Sequence, residues 1–350
     1  MEPSPAGNPR RRLVEPIRRF LSSVSFSHWT RIAVALLLIM PGSSTIVRAQ
    51  EEDPVEWALE LAMADRSLLL DAAAVDGMLV VVGERGHILI SNDAGKTWRQ
   101  AKVPTRATLT GVWFHDPSHG WAVGHDSVIL RTMDGGATWE RVQWAPDDES
   151  PFLDVWFFDA ESGFAIGAYG SFFVTEDGGA TWFDEMIGED DFHLNHMARS
   201  DTGRMYIAAE AGAAYRSDDD GATWTILPTP YEGSFFGVLP LDGDALLLFG
   251  LRGHLFRSDD AGETWTTLET GTTAMLNSGI RLEDGRIVIA GLGGVVLVSD
   301  DGGRSFDLRG QSSRAGIQTL VDAGDGQLLL VGEFGIRMLP LKNLSDGKDE

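Results

Sequence analysis

The stretch Gly163-Phe-Ala-Ile-Gly-Ala-Tyr-Gly-Ser-Phe-Phe-Val-Thr-Glu-Asp-Gly-Gly-Ala-Thr-Trp182 contains two short apolar runs, a turn flanked by glycines, and a closing eight-residue box. Runs of this length, rich in Phe, Ile and Val and bounded by Gly and Asp, read as β-strands. The box Thr175-Glu-Asp-Gly-Gly-Ala-Thr-Trp182 recurs as Ser91-Asn-Asp-Ala-Gly-Lys-Thr-Trp98, Thr132-Met-Asp-Gly-Gly-Ala-Thr-Trp139, Ser217-Asp-Asp-Asp-Gly-Ala-Thr-Trp224, Ser258-Asp-Asp-Ala-Gly-Glu-Thr-Trp265 and Ser299-Asp-Asp-Gly-Gly-Arg-Ser-Phe306. The box starts lie 41, 43, 42, 41 and 41 residues apart. Fixed self-similarity on this scale marks a repeat architecture.

A second mark keeps the same period. It is the short turn Gly83-Glu-Arg-Gly86, repeated with variation at Gly124, Gly167, Ala209, Gly250, Gly291 and Gly332, which makes seven copies against six boxes. Trp57 accounts for the difference, since it precedes Gly83 by 26 residues, as Trp98 precedes Gly124 and Trp224 precedes Gly250. Within one repeat, Leu109-Thr-Gly-Val-Trp-Phe114, Trp121-Ala-Val123, Val128-Ile-Leu-Arg131 and Trp139-Glu-Arg-Val142 read as four strands separated by turn signals. Four strands per repeat is one propeller blade, so the fold class is all-β, a seven-bladed β-propeller of four-stranded blades. The last repeat supplies three strands, around Thr319-Leu-Val321, Leu328-Leu-Leu-Val331 and Ile336-Arg-Met338. Its fourth is expected from Glu56-Trp-Ala-Leu-Glu60, so that an N-terminal strand completes the last blade and closes the ring. Pairing the chain ends would hide an open sheet edge, and trimming past Val55 should then destabilise the fold.

The first fifty residues are of another kind. Arg10, Arg11, Arg12, Arg18, Arg19 and Arg31 lead into the apolar run Ile32-Ala-Val-Ala-Leu-Leu-Leu-Ile-Met40. Nine residues of helix rise roughly 14 Å, about half a bilayer's hydrocarbon core, which suits a signal peptide better than a membrane span. Val47-Arg-Ala49 supplies the small residues for cleavage after Ala49. The expected division is therefore a signal peptide over 1–49, the propeller over 50–342 and a polar tail over 343–350. Export to the periplasm, or to a thylakoid lumen in a photosynthetic host, follows. The chain has no cysteine, so it has no thiol to carry a lipid anchor and no disulfides, and stability must come from packing.

Removing residues 1–49 takes seven arginines and two glutamates from 28 basic and 52 acidic side chains, leaving 21 against 50 and a net charge of −29. Such a surface repels nucleic acid and anionic lipid headgroups alike. The expectation is a monomer that binds neither.

The boxes resemble the BNR/Asp-box repeat. The longer pattern over 163–182, recurring across residues 55–342, resembles the photosystem II stability and assembly factor family and its non-photosynthetic bacterial relatives. The resemblance implies a non-catalytic propeller that binds a membrane-protein client during assembly. An accessory subunit of a periplasmic transport or secretion system is the alternative, and a carbohydrate-binding or sialidase-like glycosidase propeller a third. Sialidase chemistry would need an arginine triad and a Tyr nucleophile with a Glu partner. Tyr169, Tyr206, Tyr215 and Tyr231 are the four tyrosines, and none stands in such a pairing in the sequence.

Asp93, Asp134, Asp177, Asp219, Asp260 and Asp301 read as structural residues, their carboxylates taking backbone N–H groups within the box turn. Cation binding by the runs Asp218-Asp-Asp220 and Asp259-Asp260 is the competing reading, without the spacing of a calcium loop. His115/His119 and His193/His196 have the spacing of zinc ligands, but the first pair flanks a proline-containing turn, and neither a metal nor a cofactor is expected. The residues between the turn glycines and those leading into each first strand should share one rim. That rim collects Arg66, Arg85, Arg106, His125, Tyr169, His193, Tyr231, Arg252, Arg314 and Phe334. Arginine and aromatic side chains are what protein-binding surfaces favour, and the relatives carry an arginine patch on a propeller face, so the partner-binding surface is expected here.

Overall fold

The computed structural model describes residues 55–309 and 313–346; the expected leader, its cleavage point and residues 347–350 lie outside these. Six antiparallel four-stranded sheets and a seventh of three strands follow one another along the chain. Each inner strand packs on the inner strand of the next blade, and that of the seventh packs on that of the first, so the sheets form a seven-bladed propeller.

The second strand of each of the first six blades, such as Gly120–Gly124 or Leu246–Gly250, is buried along its whole length, and that of the seventh everywhere but at Gln327, because neighbouring blades cover both faces. This is why these strands read as unbroken apolar runs rather than alternating ones. The third strands, such as Ile129–Thr132, are buried where they approach the box, and the outer strands, such as Phe183–Glu185, face solvent. Most of the core therefore lies between blades. Trp121 is one example, stacked on Phe157 at 3.4 Å between centroids while its Nε1–H donates to the Gly178 carbonyl at 2.9 Å.

Every inner strand carries a bulge near its start. In the fourth blade Leu194 faces Ala209 but His196 faces Ala208, and the same one-residue skip recurs at Leu70, Thr110, Leu153, Phe236, Asn277 and Gln318. A bulge turns the following side chain out of the regular alternation, and here that places it beside the central channel.

Closure differs from the expectation. Residues 56–61 form no fourth strand on the last blade, whose outer strand is Gly335–Pro340. They run antiparallel to residues 100–106 along the outer edge of the first blade: Ala58 N–H donates to the Val103 carbonyl, the Gln100 amide bonds both Leu59 O and Leu61 N, and Arg106 Nε donates to Trp57 O. The Gln100 and Arg106 side chains reach the segment where no backbone ladder does, which favours this edge. Trp57 consequently plugs no gap between blades; it is 42% exposed, with the Lys102 ammonium 4.4 Å from its ring. The ring instead closes by face packing of Leu69, Leu79 and Val81 against Leu329 and Val331. At the far end, Leu344, in the stretch expected as a polar tail, is 2% exposed in the core of blades six and seven.

Candidate functional site

The boxes are self-contained. In the fifth blade Asp260 Oδ1 accepts from Thr264 N–H and Ser258 Oγ, while Oδ2 accepts from Thr264 Oγ. Ser258 Oγ in turn takes the Gly262 N–H at 2.8 Å. The other five boxes repeat the pattern, and in the first the Thr97 hydroxyl holds the Asp93 carboxyl down at about 2. With these lone pairs occupied from within the turn, the box aspartates act as scaffold. The neighbouring acids are taken as well: Asp218 bonds Arg204 and Arg216, Asp220 bonds Arg199, and Asp259 bonds Arg257.

The turns between second and third strands lie on the opposite face from the boxes. Each touches the loop entering the next blade. A Cβ on Gly212 would stand 1.9 Å from the Tyr231 carbonyl, and one on Gly253 2.3 Å from that of Thr272, so glycine is required where these backbones meet. The rim residues therefore share one face, as their spacing implied.

On that face they differ in freedom. Arg66, Arg85, Arg252 and Arg314 are exposed, and no side-chain partner is found for them among the described residues. Arg106 is tied to Trp57 O and to Glu56 at 3.7 Å. Tyr231 packs against Phe235, His254 and Phe256, and the Arg337 guanidinium covers the Phe334 ring at 4.2 Å, so both aromatics belong largely to the packing of the fold. His125 is exposed, and His193 lies against Tyr169 and 3.4 Å from Glu210. By contrast, Arg131, Arg199, Arg204, Arg216, Arg257, Arg281 and Arg309 all hold carboxylates.

Arg85, Tyr169 and Arg252 also sit in left-handed backbone, at φ 59°, 54° and 59°. The equivalent residue in the sixth blade is Gly293, the residue type that adopts this conformation without cost. Keeping a large side chain there costs of the order of 1 kcal/mol, and the Arg85 and Arg252 side chains are exposed, with no side-chain partner among the described residues to repay it.

The residues lining the central channel are absent from the rim and the boxes alike. There, Val112 N–H donates to Asp71 Oδ2 and Met197 N–H to Asp154 Oδ2, each carboxylate bridging to the next blade's inner strand. Burial pushes both carboxyls up to about 7, the charge of Asp154 adding to the effect at Asp71, and burial lowers the His196 imidazole to about 4. The space they line holds roughly 500 Å³. One signal was available: Asp71, Asp154, His196, Ser278 and Thr319 each follow by two the apolar residue that opens an inner strand. The histidine pairs stay apart in role, since His119 Nδ1 meets Asp116 at 2.7 Å while His196 faces the channel and His193 the rim. No cluster of His, Asp and Glu suited to a metal occurs among the described residues.

With this geometry in hand, the family model for the photosynthesis system II assembly factor YCF48 matches residues 90–152 and 145–335. The chain belongs to this family. It is 37% identical over 101 residues to the chloroplastic photosystem II stability/assembly factor HCF136 of Cyanidioschyzon merolae, a stretch covering 27% of this chain and 23% of that protein. Against the photosystem II assembly lipoprotein Ycf48 of Synechococcus sp. (strain CC9902), identity is 26% over 173 residues, 47% of this chain and 51% of that one. The chain thus spans between about a quarter and a half of these curated relatives' own length.

Among solved structures, YCF48 bound to D1 peptide superposes with a TM-score of 0.65 at 20% identity, over 81% of this chain and 95% of that one. YCF48 from Cyanidioschyzon merolae gives 0.67 at 18%, over 82% and 99%. At these identities the likeness speaks for the fold. Streptogramin B lyase, an enzyme by name, reaches 0.68 at 12% identity over 81% of this chain and 96% of its own, so function must be argued from the face and not from the ring.

Proposed function

We propose that this propeller is an exported, non-catalytic scaffold that binds a membrane-protein client through the face bearing the glycine turns. The observation that carries the reading is that Arg66, Arg85, Arg252 and Arg314, four exposed guanidiniums on one face of a chain otherwise dominated by acid, hold no carboxylate among the described residues. Arginines left free in this way suit an acidic or carboxylate-bearing segment, because the guanidinium fork takes two oxygens at once and sheds its water easily. Family membership and the name of the relative solved with a D1 peptide support a protein client. Periplasmic or lumenal location follows from the leader reading, and no helix among the described residues is long and apolar enough to cross a membrane.

The test is in-cell crosslinking of the tagged chain with identification of the captured partner by mass spectrometry. Arg85→Glu together with Arg252→Glu should abolish capture while circular dichroism and thermal midpoint stay as in the parent. Arg85→Gly with Arg252→Gly, which relieves the left-handed backbone, should weaken capture with no loss of stability. Undiminished capture in both pairs refutes the assignment.

A further inference from the structure

The same face carries a second feature of the opposite sign. The free arginines belong to blades one, five, six and seven. Across blades two to four, the turns and the loops entering the next blade contain no Lys or Arg, while loops 146–149 and 189–191 alone carry Asp147, Asp148, Glu149, Glu189, Asp190 and Asp191, all of them exposed. Set within this acidic half is a small apolar groove. The Tyr169 turn and the loop running from Met186 into the inner strand Leu194–Arg199 enclose roughly 150 Å³, floored by Leu194 and Tyr215.

The groove is a fixed feature of the fold. Gly170 N–H donates to Phe192 O at 3.0 Å, the Tyr169 ring stands against His193 at 5.0 Å, and Gly188 lies so near the Tyr215 hydroxyl that an added Cβ would come within 3.5 Å of it. At its lip, Met186 is 82% and Tyr169 61% exposed, large apolar surfaces that the fold leaves uncovered. A site of this volume accepts one benzene-sized group. The carboxylates of loop 189–191, which make no ion pair among the described residues, fix the charge of whatever flanks that group.

We infer that this groove takes a large apolar side chain from a cationic segment of a protein partner, with Lys or Arg on either side of it meeting Asp190 and Asp191. The arginine half and the acidic half then select different partners, and the face brings two chains of opposite charge together. Charge complementarity excludes an acidic client here, just as it excludes a basic one from Arg85 and Arg252.

Because the chain lacks cysteine, Met186→Cys carries a single environment-sensitive bimane label at the lip. The probe is the acetylated peptide Lys-Lys-Leu-Trp-Leu-Lys-Lys, with its Glu-for-Lys counterpart as control. Saturable quenching of the bimane by the cationic peptide alone is expected. Asp190→Lys with Asp191→Lys should weaken it by about tenfold or more, and Tyr169→Ala by a similar factor, as hot-spot truncations do. Glu176→Lys with Asp300→Lys makes the same change of net charge on the box face and should leave affinity within about twofold. Arg85→Glu with Arg252→Glu should leave it unchanged, which separates this site from the client-binding reading above. Equal weakening by the two lysine pairs would reveal diffuse attraction to an acidic protein and overturn the proposal. So would an unresponsive label, or a label change that follows protein concentration without peptide, the mark of a second copy in the groove.

Discussion

Replacing Trp139 and Trp57 in turn by alanine separates two ways of closing the ring. Trp139 is a box aromatic, 6% exposed, packed among Ile90, Val112 and Phe114 between the first two blades. Removing a tryptophan from such a site strips most of its apolar surface of partners and leaves a cavity, for about 3–5 kcal/mol. Trp57 keeps the sequence register of a box aromatic but lies on a segment, residues 56–61, with a single backbone hydrogen bond to the body. That segment can detach while the ring stays folded, so the loss is capped by its docking free energy, about 1 kcal/mol or less. Equilibrium urea unfolding followed by far-ultraviolet circular dichroism, with m-values matched, gives both numbers. Costs within about 1 kcal/mol of each other would mean that Trp57 plugs a blade gap and that the edge placement is wrong.

Two further outcomes are expected. Gly212→Ala and Gly293→Ala both place a Cβ at positive φ, but only the first drives it to 1.9 Å from a backbone carbonyl, the second meeting nothing within 4 Å. Gly293→Ala should cost about 1 kcal/mol and Gly212→Ala about 3 or more, read by the same denaturation. The channel acids Asp71 and Asp154 should give stability an inverse dependence on pH: with carboxyls raised from 3.8 to about 7 on folding, their contribution is fully present below pH 4 and is lost as pH rises through 7. His196, lowered to about 4, works the other way, its contribution being present above pH 6.5 and lost as pH falls through 4. Both acids keep partial exposure toward the channel, which reduces their effect to about 1–2 kcal/mol between pH 5 and 8, and Asp154→Asn should flatten that slope. A slope unchanged in the variant removes Asp154 from the account.

How much of this was legible in the residues depends on how local each signal is. The box network closes within eight residues and the glycine turns within four, so blade number and the sharing of a face by the rim residues followed from spacing alone. Trp57 shows the limit of the method. Its distance from Gly83 fixes where a fourth strand would sit in sequence, but the edge that residues 56–61 occupy is decided by Gln100 and Arg106, two side chains whose reach no periodicity encodes. The rim list names places and is silent about partners. Arg204 finds Asp244, and Arg216 finds Glu263, one full repeat further on, and only such distances show that Arg85 and Arg252 were left over. The bulges escaped notice because an extra residue in an apolar strand alters no residue type.

The three-stranded last blade has a consequence for the way the molecule comes apart. Six of the seven junctions between blades have the chain itself running through them, whereas the junction of blades seven and one is held by side-chain packing, by contacts of the segment around Ala64 with the turn at Gly335, and by the Thr319 hydroxyl on Asp71. It is a clasp without a thread. Under load or partial denaturation the ring should open there first, uncurling as a strip whose remaining blades stay stacked, and new termini cut into any other junction, with the old ends joined, would move the clasp to the place of the cut.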